Sequence, residues 1–169
     1  PGRHLEVLRG AELLVVLDST QDPFNFGAIC RTACVFGADG ILIGQQNQVG
    51  VTSQVARSSA GAITRLKIAR VDDLAETLNL LTQDGVHTVA TALDGEHSLS
   101  DGDFRKPTAI VIGNEGTGLS PSVRDACSTS VRIPQAAGFD SLNAAVAAGV
   151  LLYEAVSYTH LRAHETVRN

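Results

Sequence analysis

Gly113-Asn114-Glu115-Gly116-Thr117-Gly118-Leu119-Ser120 follows the most buried-looking apolar run of the chain, Thr108 to Ile112. Ile133-Pro134 and Ser141-Leu142-Asn143 come soon after. Open α/β sheets bind ligands beyond the carboxyl ends of their strands, and a strand running into a glycine-rich turn marks such a place. Gly113, Gly116 and Gly118 allow close backbone approach to a ligand. The turn is no dinucleotide fingerprint, because G-x-G-x-x-G is absent, and no P-loop, because the G-K-[ST] ending is absent. The alternative is an ordinary glycine-rich turn. Taken together, the pieces between residues 113 and 143 supply main-chain groups that can wrap a small adenosine-like ligand.

Working outward, short apolar runs at 13–17, 40–44, 63–69, 86–93, 108–112 and 131–133 read as strands. Between them lie helical patterns. Residues 26–36 have Asn25 as a candidate N-cap and Gly37 as a C′ residue. Residues 52–59 form a second helix, and 72–83 a third with Leu74, Leu78 and Leu81 on one face. Ser120-Pro121 starts a fourth. Residues 141–156 form a last helix rich in small side chains. Residues 94–106 read as a polar connector with an exposed His97. Strands alternating with helices predict an α/β fold, a parallel sheet flanked by helices, Rossmann-like on pattern alone.

The length of 169 residues suits one domain with one sizeable core. No run approaches eighteen apolar residues, so no membrane-spanning helix is expected. Pro1-Gly2-Arg3-His4 lacks a signal-peptide stretch and reads as the start of a truncated piece. Cys30, Cys34 and Cys127 make no disulfide framework and fit a reducing cytoplasm. The five histidines show no metal-ligand spacing, so no metal is expected. A net charge of −5 argues weakly against nucleic acid. Its distribution argues the other way. Between Pro23 and Val71, Arg31, Arg57, Arg65, Lys67 and Arg70 face one acid, Asp39, which leaves that stretch at +4.

A third segment lies far upstream: Asp22-Pro23-Phe24-Asn25-Phe26-Gly27-Ala28-Ile29-Cys30-Arg31-Thr32-Ala33. With the two pieces above, in this order, the chain resembles the SpoU family of RNA 2′-O-ribose methyltransferases of the SPOUT superfamily. The resemblance covers roughly residues 11–156 and is nearest the branch that methylates guanosine in 23S ribosomal RNA. It implies a trefoil knot in the C-terminal part, S-adenosylmethionine as cofactor, an RNA substrate (ribosomal before transfer RNA) and a homodimer. Residues 1–10 then read as a remnant or linker, 11–156 as the catalytic domain, and 157–169 as a tail of no assigned function, frayed or non-native.

The resemblance also implies residue roles. Main chain around Gly113, Ile133 and Leu142, with Ile112, Gly118 and Asn143, would hold the cofactor. Arg31, Asn25, Glu115, Ser141 and Asn143 would form the catalytic set. An arginine stays protonated and grips anions through its planar fork. The Arg31 role is therefore positioning and activation of the ribose hydroxyl, with help from an RNA phosphate. Two departures stand out. Gln135 follows the Ile-Pro pair where many members have methionine, and Ala145 stands where many have serine. They keep open a second reading, a non-catalytic RNA-binding module of the same fold. A third is an unrelated small-molecule-binding α/β protein.

Overall fold

The structure, a computed structural model, describes residues 8–136 and 142–168, with side chains to residue 157. Strands β1 to β7 are Leu13–Leu17, Gly40–Gly44, Lys67–Val71, His87–Thr91, His97–Ser98, Thr108–Ile112 and Thr129–Arg132. Helices α1 to α5 are Pro23–Val35, Ser53–Ser58, Leu74–Gln83, Pro121–Ala126 and Ala144–Arg168. The seven strands form one sheet, ordered β3-β2-β1-β6-β4-β7-β5, and every ladder is parallel. The expected parallel sheet flanked by helices is therefore what the chain forms.

β1 and β6 lie side by side at the centre, in register from Leu13–Thr108 to Leu17–Ile112. Their side chains alternate between two cores, as strand geometry requires. Leu13, Val15, Leu17, Ile110 and Ile112 pack with Phe26 and Ile29 of α1 and Leu151 and Leu152 of α5. Leu14, Val16, Ala109 and Val111 pack with Leu74 and Leu78 of α3 and Val123 of α4. Burial on both faces explains why these strands read as continuous apolar runs. Truncating a fully buried aliphatic such as Ile110 to alanine costs about 2–5 kcal/mol.

The chain runs from β1 outward to β2 and β3, then crosses back to β4 and β6. The order reverses between β1 and β6, so the loops leaving them open a crevice at the carboxyl edge. α1 reaches this crevice by a close approach to α2. A Cβ on Gly27 would stand 1.8 Å from Ser58 Oγ, so the spacing admits only glycine. Small residues of α5 serve the same end inside the chain. Ala144 and Ala148 are buried, and a Cβ on Gly149 would lie 3.7 Å from Thr32 of α1.

Besides shifts of one or two residues at other ends, four boundaries differ from the sequence reading. α1 begins at Pro23 rather than 26, because Asp22 caps it: its Oδ1 accepts from Phe24 N at 2.8 Å and Asn25 N at 3.4 Å. Asn25 is thus within the helix and is not its cap. Residues 62–64 form a 3-10 turn and β3 starts only at Lys67. The connector contains the two-residue β5 and buries Leu99 and Phe104, while His97 is exposed as expected. α5 starts at Ala144 and its backbone continues to Arg168, past the expected end at 156.

Candidate active site

At the carboxyl edge, β4, β6 and β7 end around a cavity of about 340 Å³. Small-ligand sites span roughly 300–1,000 Å³, so the size suits one nucleoside-sized molecule. Ile112, Leu119, Val131, Ile133, Leu142 and Ala147 give it apolar walls. Gly113, Asn114, Glu115 and Gly118 line it as well. Every expected cofactor residue except Asn143 therefore borders one space. Gln135, the departure, stands on its rim.

The 113–120 turn is held by its own hydrogen bonds. Asn114 and Gly118 exchange both main-chain bonds at 3.0 Å, and Gly118 takes φ +75°. Asn114 Oδ1 accepts from Gly116 N at 2.8 Å and Thr117 N at 3.1 Å. A Cβ on Gly113 would lie 2.4 Å from the Gly118 carbonyl carbon, so the turn closes only over a glycine.

Three contacts staple this turn to the loop after β1. Asp18 Oδ2 accepts from Ser120 N at 2.8 Å and Ser120 Oγ at 2.9 Å. Asn114 Nδ2 donates to Ser19 O at 2.7 Å, across a left-handed Ser19 with φ +66°. The Glu115 carboxylate accepts from Gln21 N at 3.2 Å and Asp22 N at 3.4 Å. A buried carboxylate such as Asp18 is tolerated because hydrogen bonds meet its oxygens. Burial pushes the neighbouring Cys127 thiol up to about 12, with the Asp18 charge adding to it. Burial likewise pushes the Cys30 thiol of α1 up to about 12.

The last helix delivers the third piece. Asn143 Oδ1 accepts from Ala145 N at 2.8 Å, capping α5, while its Nδ2 donates to Asn25 Oδ1 at 3.0 Å. One side chain thus orients Asn25 and fixes the helix. Glu115 also borders an open groove with Asp22, Phe24, Asn25 and Gln54, so it stands between groove and cavity.

Asn25, Glu115 and Asn143 therefore gather where cavity and groove meet. Arg31 does not: it is exposed, lines neither space, and has no ion pair among the described residues. Six positions beyond Asn25, it lies about 9 Å further along α1 and on another face. Ser141 lies outside the described residues.

Sequence reading missed four participants. It gave no individual role to Asp18, Asn114, Asp94 or Arg124. Arg124 NH1 meets Asp94 Oδ1 at 2.7 Å on the cavity rim. The Arg124 hydrogen bond, then its charge, holds the Asp94 carboxyl below its ordinary value. Asn114 stood in the quoted loop, and its Asx pairing was the available signal. Among the described residues, no group of three or more His, Cys, Asp or Glu is placed to hold a metal ion, and no helix is long and apolar enough to cross a membrane.

Comparison with known proteins gives this geometry a context. The family model for the SpoU rRNA methylase family matches residues 12–153. An uncharacterized tRNA/rRNA methyltransferase of Mycobacterium sp. (strain KMS) is 45% identical over 142 residues, 84% of this chain and 45% of that protein. A 23S rRNA (guanosine-2′-O-)-methyltransferase of Ralstonia nicotianae is 41% identical over 152 residues, 90% of this chain and 61% of that protein. The crystal structure of the SpoU methyltransferase AviRb of Streptomyces viridochromogenes, in complex with AdoMet, superposes with a TM-score of 0.85 at 34% identity. That match covers 94% of this chain and 63% of AviRb. The chain thus spans only about half to two thirds of the length of these relatives.

Proposed function

The chain belongs to the SpoU rRNA methylase family, and on that premise we propose that it transfers a methyl group from S-adenosylmethionine to a ribose 2′-hydroxyl of RNA. A guanosine of 23S ribosomal RNA is the favoured acceptor, and transfer RNA the second. The observation that carries this reading is the juncture itself: an apolar cavity with a glycine turn, opening beside the Asn25–Asn143 pair. The Ralstonia relative's name supports the ribosomal assignment.

The cofactor would supply an electrophilic methyl on a sulfonium. The rest falls to the chain. Main chain around Gly113, Ile133 and Leu142 holds the adenosine part. Asn25, oriented by Asn143, and Glu115 border the acceptor's side. A ribose hydroxyl is a weak nucleophile at neutral pH, so alignment and proton loss share the work. Arg31 contributes a fixed positive charge and a forked donor for an RNA phosphate, drawing the backbone into place. The catalytic domain is taken as residues 11–156, with the family's trefoil knot and a cytoplasmic location as parts of the same proposal.

A homodimer belongs to it too. On α5, Val146, Val150 and Tyr153 are exposed at spacings of four and three, and the Tyr153 ring meets Phe36, just past α1, edge-on at 6.4 Å. Such an apolar stripe suits a second copy packed along the helix. Light scattering is expected to give twice the 17.7 kDa chain mass, and a monomer mass would remove the dimer.

The test of function is incubation with S-adenosylmethionine and an unmodified 23S rRNA transcript. Alkali-resistant linkages at a guanosine are the expected product. RNA binding without methyl incorporation would favour the non-catalytic module, which Ala145 and the distance of Arg31 from the cavity keep open.

A further inference from the structure

We propose that the open groove at the start of α1 holds the nucleobase of the acceptor nucleotide, with Phe24 as its stacking platform and Gln54 reading its edge. This rests on the methyltransferase reading and names the part of the RNA that the groove takes. The groove is shallow and open, with about 620 Å³ of space above it. It shares Glu115 with the cofactor cavity, so the two spaces border the same carboxylate residue. An acceptor ribose placed at that partition, beside Asn25, directs its base outward into the groove.

The lining suits a base. Phe24 is 61% exposed and has no ring partner among the described residues. Single exposed aromatics are common, so location matters more than exposure. Phe24 is the second residue of α1, and its N–H is fixed to Asp22 Oδ1 at 2.8 Å, which makes its backbone a rigid mount. Flat aromatic surfaces are how proteins hold unstacked RNA bases. Gln54, in the first turn of α2, is half-buried and its amide has no hydrogen-bond partner among the described residues. An amide offers two donors and an acceptor, the complement of a base edge.

The surroundings suit the phosphates. Arg31 lies seven positions beyond Phe24, on the same face of α1, and Arg57 lies one turn beyond Gln54 on α2. Both are exposed, and neither has an ion pair among the described residues. Uncompensated cations flanking an aromatic are an arrangement for single-stranded nucleic acid.

Phe24→Trp tests this directly, because the chain has no tryptophan and the variant emits from this groove alone. Its fluorescence, with S-adenosylhomocysteine present, is followed during titration with the unmodified 23S rRNA transcript. Saturable quenching is expected. Phe24→Ala is expected to raise KM for the transcript roughly 5- to 150-fold, while affinity for S-adenosylhomocysteine stays unchanged. RNA that binds by polarization without quenching, or an unchanged KM in Phe24→Ala, would overturn the groove assignment and leave the methyltransferase reading intact. A fall in molecular mass of Phe24→Ala by light scattering would place Phe24 in a subunit interface and also overturn it. No methylation by the wild-type chain would remove the function, and this inference with it.

Discussion

The turn at 113–120 and the outer face of α1 are both expected to serve one reaction, yet they are built in opposite ways. The turn is tied by its own hydrogen bonds and by three staples to the loop after β1. The α1 face carries Phe24 and Arg31 into solvent, and Arg31 has no ion pair among the described residues. A small cofactor gains affinity from a site already shaped, because little ordering is left to do on binding. A long polyanion brings its own phosphates, and an arginine can wait for them. On the proposed function, the cofactor half is preorganised, whereas the transfer half is completed by its substrate.

The largest expected effect separates the halves. Arg31→Ala should lower methyl transfer by roughly 10²–10³-fold, with affinity for S-adenosylhomocysteine unchanged in a calorimeter. A loss of cofactor affinity in that variant would mean that the halves are not independent. Gly113→Ala attacks the other side. Its Cβ would meet Gly118 at 2.4 Å, and the strain of about 1–3 kcal/mol should weaken cofactor binding by roughly 5- to 150-fold. Wild-type affinity would show the turn to be looser than its hydrogen bonds imply.

Asn143→Asp probes the joint between them. The carboxylate still caps α5, but the donor to Asn25 Oδ1 is gone. Thermal stability should hold while turnover drops. Asn143→Ala should in addition lose about 1 kcal/mol of capping. Equal turnover in wild type and Asn143→Asp would reduce the Asn25 bond to a structural contact.

The smallest effect concerns the thiols behind the site. Cys30 and Cys127 are both pushed up to about 12, chiefly by burial. At pH 8 neither should react with iodoacetamide in the folded chain, and mass spectrometry would report it. The sign for stability follows. Thiols held protonated stabilise the fold below their ordinary value of 9.0 and lose that contribution as pH rises from there toward 12. Resistance to denaturant should therefore fall as pH rises above 9.

Much of this arrangement was legible in the chain. β1, β2 and β6 were readable to the residue, because strands buried on both faces leave uninterrupted apolar runs. Their neighbours were blurred where polar residues alternate, as at β3, whose Lys67 is exposed. The start of α1 was misplaced because Asp22 and Asn25 are both good caps, and the choice depends on Pro23 fitting the first turn. Part of the cavity lining was readable from three short motifs, whereas Thr91 to Asp94 and Arg124 were not. The staples were not. Asp18 and Ser120 are 102 residues apart, and Asn143 and Asn25 are 118 apart. Only the parallel pairing of β1 with β6 and the packing of α5 on α1 bring such partners together. The exposure of Arg31 was hidden for a similar reason, since its motif spacing tells nothing about which way the helix is rolled.

The most direct test of a preformed cofactor half is calorimetric titration of the RNA-free chain with S-adenosylhomocysteine. Saturable binding at one site per chain is the predicted result. A folded sample that binds nothing without RNA would contradict it, and would mean that the cavity beside Asn25 and Asn143 is not the cofactor site.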